Sequence, residues 1–263
     1  MTTIEIIALI VGGILVGFIN TLAGGGSIIS LSLLMVLGLP PHIANGTNRI
    51  GVIAHNLVAT LSFRHQKVLD LKKGLYLSIP AMVGAFLGAV IAVKISEEVL
   101  KIAMGVIMLL MLFFVLTNTK KWLHGDESKL AGKIDLKQII YFFFIGAYGG
   151  FIQVGVGYMM LFALIMGVGY NLVKANAVKV LIMLIYLSFS LVVYIWDDEI
   201  NWTYGLVMTI GSMLGALIAS RMAVKRGINF VRVVIVVVIL LTAGHLFGLY
   251  DFQEIFRVLI ENK

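Results

Sequence analysis

The chain contains no cysteine, which excludes disulfides and thiolate metal sites and leaves the redox compartment unread. Charge is scarce as well: 13% of residues are Asp, Glu, Lys or Arg, against roughly a quarter in a soluble domain. The N-terminal stretch MTTIEIIALIVGG lacks the basic start and small-residue cleavage site of a secretory signal, so its apolar run is expected to be retained. Neither an HExxH pair nor a nucleophile beside a recognisable base occurs, which argues against an intramembrane enzyme. Apolar residues fill the space: 60% of the chain is hydrophobic and mean hydropathy is +1.05, the composition of an integral membrane protein. The net charge of +7 is concentrated in a few loops between apolar runs, as membrane topology requires, and is not read as a nucleic-acid surface.

Apolar runs of about 20 residues are long enough to cross a hydrocarbon core of about 30 Å as helices. The runs 43–63, 75–93, 99–117, 172–195, 203–220 and 230–249 qualify. Before each group of three lies an apolar stretch interrupted by glycine, first at Gly24, Gly25 and Gly26, then at Gly155 and Gly157. The arms that follow, 27–38 and 158–168, reach only about 17 Å at about 1.5 Å per residue, half the core, so the segments 4–38 and 138–168 read as re-entrant-like helical hairpins. The expected fold is therefore an all-α polytopic membrane protein. Its first repeat is 1–117, a basic cytoplasmic linker covers 118–137, the second repeat is 138–249, and a tail covers 250–263.

The halves match in order. At one constant offset Gly24 and Gly26 fall on Gly155 and Gly157, Ala44 and Asn45 on Ala175 and Asn176, and Gly74 on Gly205; a four-residue shift then aligns GAFLGAVIA (84–92) with GSMLGALIA (211–219). The glycine pairs Gly84/Gly88 and Gly211/Gly215 have the small-xxx-small spacing of helix packing. Loop charge sets orientation, because cytoplasmic loops are enriched in Lys and Arg. The loop 64–73 is basic while its counterpart 196–201 is acidic, and the pair 94–101 and 221–232 reverses the pattern. Three crossings plus a hairpin per half then make the repeat inverted, with both termini outside, the plan of many secondary transporters.

Two cations lie deep in this plan. Arg49 and Lys179 each fall about 10 Å along a helix, the two helices entering from opposite sides. The 13 acidic residues all fall outside the predicted cores. Intramembrane charges are functional-site hypotheses by default, and two cations without internal counterions point to an anionic substrate. The alternative is that they snorkel or satisfy backbone carbonyls at the broken hairpins. On the anion reading, Arg49→Ala would leave a folded protein and Lys179→Arg would be tolerated if space allows. The residues expected at the substrate are Arg49, Lys179, Asn45, Asn48, Thr47, Asn176, Gly24, Gly25, Gly26, Ser27, Gly155, Gly157 and Gln153, the glycines exposing backbone N–H groups where the helix breaks. Alternatively those glycines are packing contacts or kinks. Asn45, Asn48, His55, Asn56 and Thr60 share roughly one helix face, as do Asn176, Lys179, Tyr186, Ser190 and Tyr194. His55 is either a proton-coupling group or a simple hydrogen-bonded histidine. Trp122, Trp196 and Trp202 read as interfacial anchors.

The hairpin GFINTLAGGGS (17–27), the run LGLPPHIANGTNRI (37–50) and the weaker second copy ending KANAVKV (174–180) resemble the TauE/SafE family of membrane permeases over essentially the whole chain. The resemblance implies export of small sulfur-containing anions, such as sulfite, organosulfonates or sulfoacetate, across a bacterial inner membrane. The second half departs from a full copy at Val156, inside the glycine group, and at Val178, opposite Thr47, so the two tips are not expected to act equally. The expected partners are a small anion and the lipid bilayer, with no nucleic acid; a homo-oligomer is compatible. Neither a cofactor nor a metal is expected. An anion channel is the alternative to a carrier.

Overall fold

A computed structural model describes residues 1–96, 98, 99, 130 and 134–246, with side chains beyond 227 described only in part. The expected helix 99–117, most of the linker 118–137 and the tail 250–263 fall outside the described residues. The described chain is helical, without strands: α1 Thr3–Leu22, α2 Ser27–Val36, α3 Pro41–His65, α4 Leu71–Lys94, α5 Leu136–Phe151, α6 Val156–Phe162, α7 Leu172–Trp196 and α8 Trp202–Leu246.

Local chemistry marks the helix starts. Thr2 and Glu5 form a capping box at α1, each satisfying the other's backbone N–H at 3.3 and 2.8 Å. Asp70, Asp135, Asn171 and Asn201 cap α4, α5, α7 and α8 through side-chain oxygens that accept from the third residue on. Pro41 opens α3, where its missing N–H leaves no unmet bond. The two return arms both stop at a left-handed glycine, Gly38 (φ 90) after α2 and Gly169 (φ 98) after the helical continuation of α6 to Val168.

Among the described residues four helices are long and apolar enough to cross a membrane: Thr3–Leu22, Leu71–Lys94, Leu172–Trp196 and the part Trp202–Gly227 of α8. Their outer faces carry apolar stripes at helical spacing, Ile7, Val11 and Leu15 on α1, Leu75, Ile79 and Val83 on α4, Leu206, Ile210 and Leu214 on α8, all exposed as a lipid-facing surface must be. Helix α3 is equally long but polar along its buried face, and it lies inside, against α7 and α8. Trp196 and Trp202 stand exposed at the ends of α7 and α8 that share one loop.

Three elements differ from the sequence expectation. The outgoing arm of the first hairpin, α1, has 20 residues and about 30 Å of length, enough by itself to cross; only its return arm is short. The expected spans 203–220 and 230–249 are two helical stretches that meet at the non-helical Gly227 (φ 71), described as far as Leu246. What differs is that the first runs on through the basic stretch 221–226, which holds helix formers and no proline. The second return arm is α-helical only to Phe162 and continues as a π-helix over Ala163–Val168; nothing in the local sequence explains the change.

Close glycine contacts join helices from the two halves. A Cβ placed on Gly13 or Gly17 of α1 would lie 2.5 or 2.0 Å from the carbonyl oxygen of Met208 or Ser212 in α8, and one on Gly211 or Gly215 would meet Ile10 or Ile14 in return. The same arrangement joins α4 to α5: Gly84 and Gly88 press on Phe143 and Ala147, Gly146 and Gly150 on Ala81 and Ala85. In both pairs residue numbers rise together, so the helices run parallel. The central pair behaves differently, since Asn45 bonds Tyr194 while Arg49 bonds Ser190, which makes α3 and α7 antiparallel.

Candidate functional site

Arg49 is fully buried on α3 and its terminal nitrogens are spent on the second half. Nη1 donates to the Gly149 carbonyl at 3.3 Å and to Ser190 Oγ at 2.8 Å; Nη2 donates to the Gly150 carbonyl at 2.6 Å and to the Tyr194 hydroxyl at 3.1 Å. The two carbonyls belong to the last turn of α5, where the helix dipole is negative and main-chain acceptors lack intrahelical donors. Asn45, one turn earlier on α3, donates to the Phe151 carbonyl at 3.0 Å and to the Tyr194 hydroxyl at 2.8 Å. Of Arg49's donors only Nε is left without a partner among the described residues.

Lys179 reverses the roles of the halves. Fully buried on α7, it donates to the carbonyls of Asn20 and Thr21 at 2.9 and 3.1 Å, at the end of α1, and to Asn176 Oδ1 at 2.7 Å. An ammonium has three N–H groups, and all three are placed. Each deep cation thus closes the last turn of the other half's outgoing arm, and its partners are neutral oxygens. This is the carbonyl arrangement that the sequence left open as the alternative.

The hairpin tips touch. Gly24 has φ 91, a conformation L side chains rarely adopt, and a Cβ there would also lie 2.4 Å from the Gly157 Cα. Helix ends place Gln153 where the first hairpin has Gly24, and Gln153 adopts φ 67 although it is not glycine. Constant-offset alignment had matched Gly24 to Gly155 instead; Gly155 opens α6 with φ 70. Gly26 donates its N–H to Asn20 Oδ1 at 2.7 Å, and Ser27 begins α2.

The other candidates divide. Asn48, Gln153 and His55 are each 0% exposed, and both polar side-chain atoms of each lack a partner among the described residues. Asn56, Thr60 and Tyr186 likewise have unpartnered polar atoms, so the α3 face beyond Asn45 and Arg49 is a buried stripe of unused polarity, whereas the α7 stripe is bonded except at the Asn176 NH2 and the Tyr186 hydroxyl. Thr47 is employed elsewhere: its hydroxyl accepts from the Asn201 N–H at 2.8 Å and ties α3 to the loop before α8. At the opposite end Tyr170, just before α7, donates to Asp70 Oδ2 at 2.6 Å, and burial together with this carboxylate raises its phenol above the ordinary range.

Sequence reasoning missed Asn20, Thr21 and Tyr158. Asn20 carried a signal, an amide in an otherwise apolar helix four residues before the glycine triplet; Tyr158, inside the apolar run YMMLF, carried none.

Residues 9–246 match the family described as sulfite exporter TauE/SafE. A "probable membrane transporter protein" of Haemophilus influenzae is 30% identical, with 86% of this chain and 88% of that protein covered. YfcA of Escherichia coli K12 is 28% identical (90% and 87%), and YunE of Bacillus subtilis 24% (88% and 95%); both bear the same description. No solved structure matches. With the relatives described as probable membrane transporters and its family match running nearly end to end, this chain belongs to the sulfite exporter TauE/SafE family.

Proposed function

We propose that the chain is a secondary carrier that exports small sulfur-containing anions, such as sulfite, organosulfonates or sulfoacetate, across a bacterial inner membrane with both termini outside. The observation that carries the reading is the reciprocal burial of Arg49 and Lys179, each held by neutral oxygens of the opposite hairpin beside the touching tips. Neither cation has a carboxylate among its hydrogen-bond partners in the described residues, and a mobile anion is what such a field attracts. The two halves act as inverted repeats. Antiparallel α3 and α7, together with two equivalent parallel contacts of hairpin arm on helix, support that arrangement. The substrate passes the touching tips beside Asn48, Gln153 and Asn176, and opening alternates between the two sides.

His55, with both ring nitrogens unpartnered, is the titratable side chain available for proton coupling; otherwise protons enter through the substrate's own titration or not at all. The test is uptake of radiolabelled sulfite, sulfate, taurine, sulfoacetate and thiosulfate by proteoliposomes. Saturable, trans-stimulated counterflow of at least one of these is expected. Non-saturating flux without counterflow would make the protein an anion channel, and no flux across the panel would overturn the anion reading.

A further inference from the structure

Both cations sit at the centre of the molecule, yet neither has its donors free. Lys179 has placed all three N–H groups, and Arg49 retains a single N–H at Nε. An anion entering this region needs other donors. Around the first hairpin tip two exist whose orientation is fixed. Asn20 Oδ1 accepts from the Gly26 backbone N–H, and Asn176 Oδ1 accepts from the Lys179 ammonium. Those partners can only donate, so the bonded ends are oxygens and the opposite ends are NH2 groups. Both NH2 groups are buried and unpartnered among the described residues, on side chains 2% and 0% exposed. The Tyr158 hydroxyl, also buried and unpartnered, lies where a Cβ on Gly25 would approach it to 2.3 Å. The second tip is built the other way round. Asn45, the counterpart of Asn176, spends its NH2 on Phe151 and Tyr194 and leaves its oxygen unpartnered.

We propose that the substrate's oxyanion group binds at the first hairpin tip alone, on the Asn20 and Asn176 amide NH2 groups and the Tyr158 hydroxyl. Lys179 supplies potential from behind without coordinating it. The ligand is a fully deprotonated oxyanion head, acceptor on every oxygen, because the groups offered are donors. Asn45 at the second tip presents an acceptor oxygen to such a head, and Gln153 beside it has neither amide end fixed by a partner among the described residues, so the ordered free donors lie at the first tip. Asn20 and Tyr158 become specificity residues. This assignment rests on the anion-carrier reading above.

The experiment is ligand-induced thermal stabilisation of the purified full chain with sodium sulfite, sulfate and methanesulfonate, against sodium chloride at equal ionic strength. Asn20→Asp and Asn176→Asp keep the bonded oxygens and replace the free NH2 by negative charge; each is expected to weaken apparent affinity at least tenfold. Tyr158→Phe removes one unpartnered hydroxyl, which leaves packing intact, and is expected to weaken it severalfold. Tyr186→Phe removes an unpartnered hydroxyl beside Gly149 of the second hairpin and is expected to leave it within twofold. Should the Asp variants not fold, the contrast between Tyr158→Phe and Tyr186→Phe decides. Wild-type shifts retained by Tyr158→Phe, or lost in Tyr186→Phe, would overturn the first-tip site while the carrier reading stands. Absence of any shift in the wild type with all three anions would instead remove the anion reading itself.

Discussion

The Arg49 guanidinium lies over the Tyr194 ring with Cζ 4.2 Å from its centroid, and the hydroxyl of the same tyrosine accepts from Nη2 at 3.1 Å. One aromatic side chain of the second half therefore meets the arginine of the first twice, through its π face and through its oxygen. The contact fixes the guanidinium plane, so Nη1 finds the Gly149 carbonyl and the second N–H of Nη2 the Gly150 carbonyl.

This geometry reverses the expectation that Arg49→Ala leaves the fold undisturbed. Truncation takes a donor from four acceptors and leaves the buried Gly149 carbonyl with none, at about 1–3 kcal/mol where no water replaces it, while Tyr194 keeps Asn45 and the Gly150 carbonyl keeps only a long bond from Tyr194. The expected result is a marked fall in the thermal midpoint of the detergent-purified protein, with Tyr194→Phe falling less because the ring remains. An Arg49→Ala midpoint equal to wild type would mean that the carbonyls find other donors.

Lys179→Arg is likewise expected to be harmful, contrary to a charge-only view. Three acceptors surround a compact ammonium with no exposed surface, and a planar fork can neither satisfy that tripod nor fit without overpacking of about 1–3 kcal/mol. Thermal midpoints of Lys179→Arg and Lys179→Met decide between shape and charge: the shape argument requires the arginine variant to be no more stable than wild type.

Gln153 offers a separation of stability from transport. A non-glycine residue at φ 67 costs about 1 kcal/mol or more, so Gln153→Gly should raise stability by about that amount. If the unpartnered amide serves the substrate, counterflow should fall in the same variant. A more stable protein with unchanged transport would leave the amide without a role.

Topology is testable because the chain starts without cysteine. His65→Cys at the end of α3 and Asp197→Cys after α7 are both exposed positions. An impermeant thiol reagent is expected to label Asp197→Cys from outside intact cells and His65→Cys only after permeabilisation. Labelling of both from one side would contradict the inverted arrangement.

Hydropathy and turn chemistry made much of the fold legible. Helices expected at 43–63 and 172–195 appear as Pro41–His65 and Leu172–Trp196, because Pro40–Pro41 and Asn171 mark their starts and apolar length marks their extent. The pairs Gly84/Gly88 and Gly211/Gly215 pack as their spacing suggested, because spacing alone puts them on one helix face. The hidden features are of another kind. Whether helix continues through 221–226 depends on one residue's φ at Gly227, and the tip register depends on Gln153 accepting a left-handed conformation; neither leaves a periodic trace. The direction of an asparagine amide is invisible in sequence as well. Asn45 and Asn176 occupy matching positions and present opposite ends, a difference created wholly by their neighbours.

The parallel contacts between halves bear on how the molecule is assembled. Gly13 and Gly17 have no surface to close upon until Met208 and Ser212 have been inserted, and Gly146 and Gly150 depend on Ala81 and Ala85 made long before them. Among the described residues each outgoing arm closes chiefly on a helix of the other half. During synthesis α1 must wait in the bilayer with its glycine face toward lipid, a separation in sequence that delays closure and lengthens exposure to quality-control proteases. A half expressed by itself would meet those proteases with its groove vacant, whereas two halves made together, even as separate chains, would each complete the other.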